Sequence, residues 1–488
     1  MEKKISINIS YQIAFRILTI ITPLITTPII SRAFGAGGVG QYSATIAYVT
    51  YFTLFAMLGI ENYGNRMIAA VQDDKKTRSK MFWEIYSVQF VSSFLAIVAY
   101  FASFCFLDRS RWALAAIQGI WIFSYLVDIN WFFFGMEQFK LTVIRSTLIK
   151  IVTVCLIVLF INDTNDLYLY AGIMSGGAFI GQLALWGYLK KFVCFEKPSL
   201  NKIKGHLAPI LKLYIPIIAI SIFRLMDKTM LDVLSTDENV GYYYSADKVV
   251  SIPLGVVTAV STVMLPRLSN VFHNKSEIAA KELIKKSSEL TIFLVCAVSF
   301  GIAAIAKEIV PIFFGEGYDV CTSLIYFFVP VLIVKTLEDV ICSQYLIPTH
   351  KDNIYIGALI GGAVANILSN IPLIRTFGAL GAVLGTLVAE CVVLLIQLIY
   401  VKEVPFLKYF VTEIQYVFFG GAMMLIVVFI GNQLVISTIP KIIVSIIIGG
   451  VFYILCCTIW WMAHSKSVFH PLVSKMISKF IHKFKVID

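Results

Sequence analysis

No connection between the apolar segments of this 488-residue chain exceeds about two dozen residues, which leaves no room for a soluble catalytic domain. Charge is scarce too: Asp, Glu, Lys and Arg make up 14% of the residues, against 59% hydrophobic and a mean hydropathy of +0.84. Domains that fold in water do not have that balance. None of the six histidines (His206, His273, His350, His464, His470, His482) falls inside an apolar segment, which excludes an intramembrane histidine relay. The nine cysteines contain no CxxC pair, and all but Cys194 lie in or beside apolar segments, so they read as packing residues and not as metal ligands. Walker A and GxSxG sequences are missing as well. No enzyme, cofactor or metal is implied, and an ATP motor would have to come from another chain.

What the chain has is fourteen apolar segments, at 11–31, 39–62, 81–106, 112–134, 143–161, 167–189, 212–234, 241–265, 289–306, 318–337, 353–374, 378–401, 410–431 and 439–462. Each has about the length a helix needs to cross roughly 30 Å of hydrocarbon. Alternate gaps hold only six basic residues, Arg32, Arg109, Arg111, Lys307, Arg375 and, at the entrance of the last segment, Lys441. Five more lie inside segments (Arg16, Arg224, Lys228, Lys248, Lys335), which leaves 29 of the 40 for the termini and the other gaps, counting Arg145, Lys150 and Lys212 at segment entrances. The positive-inside rule then places both termini in the cytoplasm. The net charge of +11 is thus a topology signal that attracts anionic lipids at the inner surface, not a nucleic-acid signal. The first segment is long, carries Arg16 and lacks a small-residue cleavage site, so it reads as a retained anchor.

Two inner-side stretches look like amphipathic surface helices. One has Ile278, Leu283 and Ile284 among Lys275, Lys281, Lys285 and Lys286; the other is the tail from His470. The run Gly35-Ala36-Gly37-Gly38-Val39-Gly40 matches a dinucleotide fingerprint, but it joins two membrane segments and reads as a tight turn. It also belongs to two internal echoes. Arg32-Ala33-Phe34-Gly35-Ala36 recurs as Arg375-Thr376-Phe377-Gly378-Ala379, and Val39-Gly40-Gln41-Tyr42 as Val240-Gly241-Tyr242-Tyr243. The second falls at corresponding places if segments 1–6 and 7–12 are like-oriented halves, a known transporter plan. The expected organisation is all-α and polytopic: a six-helix lobe at 1–190, a cytoplasmic linker at 191–211, a second six-helix lobe at 212–401, an appended helix pair at 402–463 and a basic tail at 464–488.

Ionisable residues inside the segments cost about 2.5–3.5 kcal/mol each on insertion scales, so they face a cavity or a partner. Segment 7 carries Arg224, Asp227, Lys228 and Asp232, all within about 140° of one helix face. Segment 8 adds Asp247 and Lys248, and segment 1 adds Arg16. These cations suit an anionic head group crossing the bilayer. The alternative is structural: Arg224 with Asp227 and Lys228 with Asp232 have the spacing of helical ion pairs, and Arg16 can snorkel. Glu61, Asp128, Lys335, Glu338 and Asp339 lie near segment ends, while Glu390 sits mid-segment; Glu390 and Asp128 are candidates for ion coupling.

The stretches Ser221–Leu231, Asn239–Ala246 and Met264-Leu265-Pro266-Arg267 resemble polysaccharide transporters, as do Arg32–Gly35 and Phe314–Tyr318. These are the Wzx-type oligosaccharide flippases of the multidrug/oligosaccharidyl-lipid/polysaccharide exporter superfamily. The resemblance covers the whole chain. It implies a V-shaped, two-lobed bundle of MATE type, working by alternating access in the bacterial cytoplasmic membrane. It implies an undecaprenyl-diphosphate-linked oligosaccharide as substrate and, among partners in capsule, exopolysaccharide or O-antigen assembly, a polysaccharide polymerase. The cationic contacts would fall to Arg16, Arg224, Lys228 and Lys248, with Asp227, Asp232 and Asp247 as charge partners that weaken the positive field. A lipid II flippase, a multidrug antiporter and a membrane polysaccharide polymerase remain as alternatives.

Overall fold

In a computed structural model the chain is helical, with no strand among the described residues. The structure describes residues 2–274, 276–402, 404–431, 438–463, 467, 469–471 and 473–475, with side chains from 18 onward except 200, 412, 413, 416, 431, 438 and 439. The helices are α1 (Glu2–Met57), α2 (Ile60–Ala70), α3 (Lys75–Ala102), α4 (Trp112–Leu126), α5 (Asn130–Gly135), α6 (Phe139–Phe160), α7 (Leu167–Leu189), α8 (Leu200–Leu234), α9 (Asp237–His273) and α10 (Glu277–Phe314). They continue with α11 (Asp319–Ile341), α12 (Asp352–Phe377), α13 (Ala379–Tyr400), α14 (Phe406–Gly431) and α15 (Thr438–Ala463). Twelve helical stretches among the described residues are long and apolar enough to cross a membrane, and the first of them, Leu18–Ala70, contains two expected segments. The thirteenth expected segment is α14, whose apolar part Val417–Ile430 is shorter. The chain is a multi-pass membrane protein.

Internal packing divides it into two compact units, Met1–Tyr244 and Ser245–Asp488, with the boundary inside α9. Residues 200–211, part of the stretch expected as a linker, form the first turns of α8. They pack on the first unit through His206, whose Nδ1 lies 2.7 Å from the Tyr63 hydroxyl and whose Nε2 lies 3.4 Å from Glu84 Oε2. The surface helix expected around 278–286 is not a separate element. It is the start of α10, which at 38 residues is about 57 Å long and outruns the hydrocarbon. Ile284 is buried there while Ile278 is exposed. The amphipathic tail from His470 lies mostly outside the described residues.

Two expected segments are broken, and the breaks explain much of the first unit. In α1, Gly35 takes φ 62°, a conformation that favours glycine, so the chain kinks where the sequence placed a turn. Its echo Gly378 has φ 57° between α12 and α13. Further along, Leu58 at φ 50° separates α1 from α2, and residues 127–129 separate α4 from α5. A break in hydrocarbon frees carbonyls that water cannot reach, so side chains must satisfy them. One face of α3 does so for both. Gln89 Nε2 donates to the carbonyls of Tyr125 and Asp128, each at 2.7 Å, and Tyr86 donates to that of Leu126. One turn on, the Ser92 and Ser93 hydroxyls donate to the Ala56 carbonyl at 2.7 and 3.2 Å. From α7, Trp186 Nε1 donates to the Val127 carbonyl. Gln89 also accepts from Trp131 Nε1 at 2.8 Å, and Trp131 is fully buried against Phe82 in the aromatic core of this unit.

Gln89→Leu leaves the Asp128 carbonyl and the Trp131 indole N–H without partners in a buried site, while the Tyr125 carbonyl keeps a backbone donor in the Asp128 amide. At about 1–3 kcal/mol for each unmet group, it should lower stability by at least about 2 kcal/mol. The thermal midpoint of the purified chain in detergent measures this, with Ser92→Ala as the milder comparison because Ser93 still reaches Ala56.

Candidate functional site

The four charges on α8 do not behave alike. Asp227 is buried and accepts a hydrogen bond from the Tyr243 hydroxyl at 2.9 Å, so α9 supplies its donor. The Lys228 ammonium sits 5.1 Å from the centroid of the Tyr244 ring, where the face of the π system attracts a cation. Arg224 is exposed and makes no ion pair among the described residues. It lies ten residues before the end of α8, about 15 Å along the helix and so near the middle of a bilayer. Thr229 on the same helix is 3.0 Å from the Tyr51 hydroxyl of α1.

Asp232 has a partner that helical spacing does not reveal. The Arg111 guanidinium, at the entrance to α4, bridges the carboxylates of Asp232 and Asp237, the latter at 2.5 Å. All three side chains are about one-fifth exposed. Arg111 entered the sequence reading only as a count in a loop; its role depends on two loops meeting. Asp232 is thus paired outside α8, with an arginine that it shares with Asp237, and not with Lys228 as helical spacing offered.

The same end of the first unit is drawn together by glycines. A Cβ at Gly40 would run into the carbonyl of Asp237, and one at Gly241 into the carbonyl of Ala36. The two Val-Gly-x-Tyr echoes are thus packed on each other. Val39, Tyr42, Val240 and Tyr243 are all buried around this backbone contact. The glycines serve close approach, which is what the spurious dinucleotide motif amounts to here.

The remaining candidates separate in space. The side chain of Arg16 lies outside the described residues. Asp247 and Lys248 belong to the second unit, are half-buried, and Asp247 accepts from the Ser251 hydroxyl at 3.2 Å. Glu390 is fully buried on α13, with Lys335 Nζ of α11 3.4 Å from its Oε1. Neither Glu390 oxygen has a hydrogen-bond donor among the described residues, and the same holds for Oε2 of Glu338. Asp128 has a structural position: Oδ1 caps α5 at the Asn130 amide (2.8 Å) and Oδ2 accepts from Gln182 Nε2 (3.0 Å). No group of three His, Cys, Asp or Glu able to hold a metal occurs among the described residues.

With this geometry in view, residues 5–272 match the family described as Polysaccharide biosynthesis protein. The chain belongs to that family. Proteins similar to it include a "Putative O-antigen transporter" of Escherichia coli (strain K12), 23% identical over 407 residues, or 81% of this chain and 96% of that protein. Another relative is the "Probable low-salt glycan biosynthesis flippase Agl15" of Haloferax volcanii, 22% identical over 55% of this chain and 57% of that one. Among solved structures, a "Lipid II flippase MurJ, inward closed conformation" superposes with a TM-score of 0.71 at 17% identity, covering 92% of this chain and 99% of that one. An inward-facing MATE multidrug transporter of the MOP superfamily gives 0.59 at 12% identity, covering 78% and 93%. The fold is therefore of the MATE type. These findings bear out the resemblance to Wzx-type polysaccharide transporters carried by Ser221–Leu231 and Asn239–Ala246, both within the matched family region.

Arg111→Ala strands two carboxylates at the end of α8 and the start of α9. The cost lies between the about 1 kcal/mol of an exposed pair and the about 3–5 kcal/mol of a buried one. A short thiol cross-linker joining Gly37→Cys to Glu238→Cys in a chain free of other cysteines reads the contact directly, since a Cβ at Gly37 lies 3.7 Å from Glu238 Oε1. Arg111→Ala should reduce the cross-linked yield severalfold, and Arg111→Lys much less.

Proposed function

We propose that this chain is a flippase that carries lipid-linked oligosaccharide repeat units from the cytoplasmic to the outer leaflet of a bacterial cytoplasmic membrane. The observation that carries the proposal is Arg224, an exposed cation halfway through a membrane crossing, with no ion pair among the described residues. A charge held there needs a hydrated space or a polar substrate. A lipid-linked sugar presents such a substrate, because its diphosphate is an anion that must pass the midplane. Arg224 can meet two phosphate oxygens at once, a charge-assisted geometry that lysine cannot reproduce. A relative of nearly matching length that is named a putative O-antigen transporter also supports this reading.

In this proposal Lys228 assists Arg224, and Lys248 and Arg16 serve the same anion at other depths. Tyr243 holds Asp227 away from it. Glu390 beside Lys335 is the proposed coupling site, because a fully buried carboxylate in an ion pair can exchange that partner for another cation as its surroundings open. The chain works as a transporter and not as an enzyme, with both termini on the cytoplasmic side.

The test is the lipid-linked sugar pool in a deletion strain. Repeat units should accumulate on the inner leaflet and be cleared by the wild-type chain. Arg224→Ala should insert normally yet give less than about a tenth of wild-type surface polymer, as expected for loss of a charge-assisted contact of about 1.5–3 kcal/mol. Unpolymerised units on the outer leaflet would indicate a polymerase, and accumulated lipid II would indicate the peptidoglycan precursor as substrate.

A further inference from the structure

Within the first unit, α1, α6 and α7 line a half-open cavity of about 240 Å³. Two cations line it, Arg145 and Lys150, both on α6. In the sequence they pass for residues at a segment entrance. In the structure Lys150 is the twelfth of the 22 residues of α6, about 17 Å from its start and so at mid-membrane depth. A lysine at that depth normally serves a cavity or a partner. Its Nζ donates to the Thr19 hydroxyl at 2.9 Å.

Arg145 has the more telling environment. Its Nη1 donates to Gln182 Oε1 at 3.0 Å and its Nη2 to Asn130 Oδ1 at 2.6 Å, both neutral amide oxygens. The Asn130 amide donates to the same Gln182 oxygen at 3.1 Å, and Gln182 Nε2 reaches on to Asp128. Gln182 thus bonds both the guanidinium and Asp128, whose charge acts on Arg145 although the two form no direct ion pair among the described residues. Its Nε is buried with no hydrogen-bond partner. The wall opposite is made of small residues: a Cβ at Gly181 would lie 3.5 Å from Arg145 Nη1, and one at Gly177 would crowd Thr153 Oγ1 at 2.9 Å. A cation fixed in place by neutral groups, with a spare donor and a second cation on the same wall, is the arrangement that takes an oxyanion.

We propose that this cavity binds the diphosphate head group of a polyprenyl lipid, with Lys150 and Arg145 as its contacts. The cavity holds a head group and not an oligosaccharide, so the sugars would lie outside it. The proposal deepens the flippase reading and rests on it for the lipid.

The test uses the purified full chain in detergent, titrated with farnesyl diphosphate, inorganic pyrophosphate and farnesol, with binding read by thermal shift. Farnesyl diphosphate should stabilise the chain and farnesol should not. Lys150→Gln should weaken farnesyl diphosphate binding at least about tenfold, the loss expected for a charge-assisted hydrogen bond to phosphate. Arg145→Gln should do the same, but it also ties α5 to α7, so Lys150→Gln is the deciding variant. Unchanged affinity in Lys150→Gln overturns the site. Equal, Lys150-dependent affinity for pyrophosphate overturns the lipid assignment and leaves a site for soluble diphosphates. Lys150-dependent binding, in a chain whose deletion leaves the lipid-linked sugar pool unchanged, keeps the site and rejects the flippase reading. Lys150-independent binding in a chain that clears the pool rejects this site alone.

Discussion

Hydrocarbon offers no hydrogen bond, so every backbone amide and carbonyl in a crossing must find its partner inside the protein. That constraint makes the described chain helical and decides where it can depart from a helix. Departures occur at Gly35, at Leu58–Gly59 and at residues 127–129. Each needs a local substitute for the lost helical bonds. At the last two, the face of α3 formed by Tyr86, Gln89, Ser92 and Ser93 provides it, donating to carbonyls of two different crossings. Two broken crossings can therefore lie side by side, with α2 and α5 packed where Gly64 admits the Trp131 ring.

Electrostatics obey the same limit. A charge inside the membrane is kept only where a partner or water meets it, and this chain uses both. Arg111 spans two carboxylates and draws the ends of α4, α8 and α9 together, while the Gly40 and Gly241 contact brings backbones close enough for that bridge to form. Asp227 is met by Tyr243, and Glu390 by Lys335. Arg224 and Arg145 are different: one is exposed, the other held by neutral amides. The structure thus separates cations that hold the fold from cations with charge to spare, and the functional proposals rest on the second kind.

Much of this was legible in the chain. Segment count, helical class and family came from hydropathy, spacing and motif. The mid-membrane charges of α8 stood out because each is costly where it lies. Other residues were not legible, for physical reasons. Arg111 and Asp232 are 121 positions apart, so no helical period connects them. Asp128 reads as a charge near a segment end; its capping of α5 appears only once the helix is seen to break. Lys150 reads as an entrance residue because the start of α6 is set by the turn at 136–138, which hydropathy places several residues too late.

The amino-acid sequence by itself determined that the chain crosses a membrane many times as helices, because apolar runs of that length have no other stable state in lipid. It also determined the family, through motifs that survive at low identity. Tertiary structure alone decided which charges are spent on one another. Ion pairs and amide networks form between side chains distant in sequence, and whether a cation is neutralised depends on what the fold brings within a few ångströms of it.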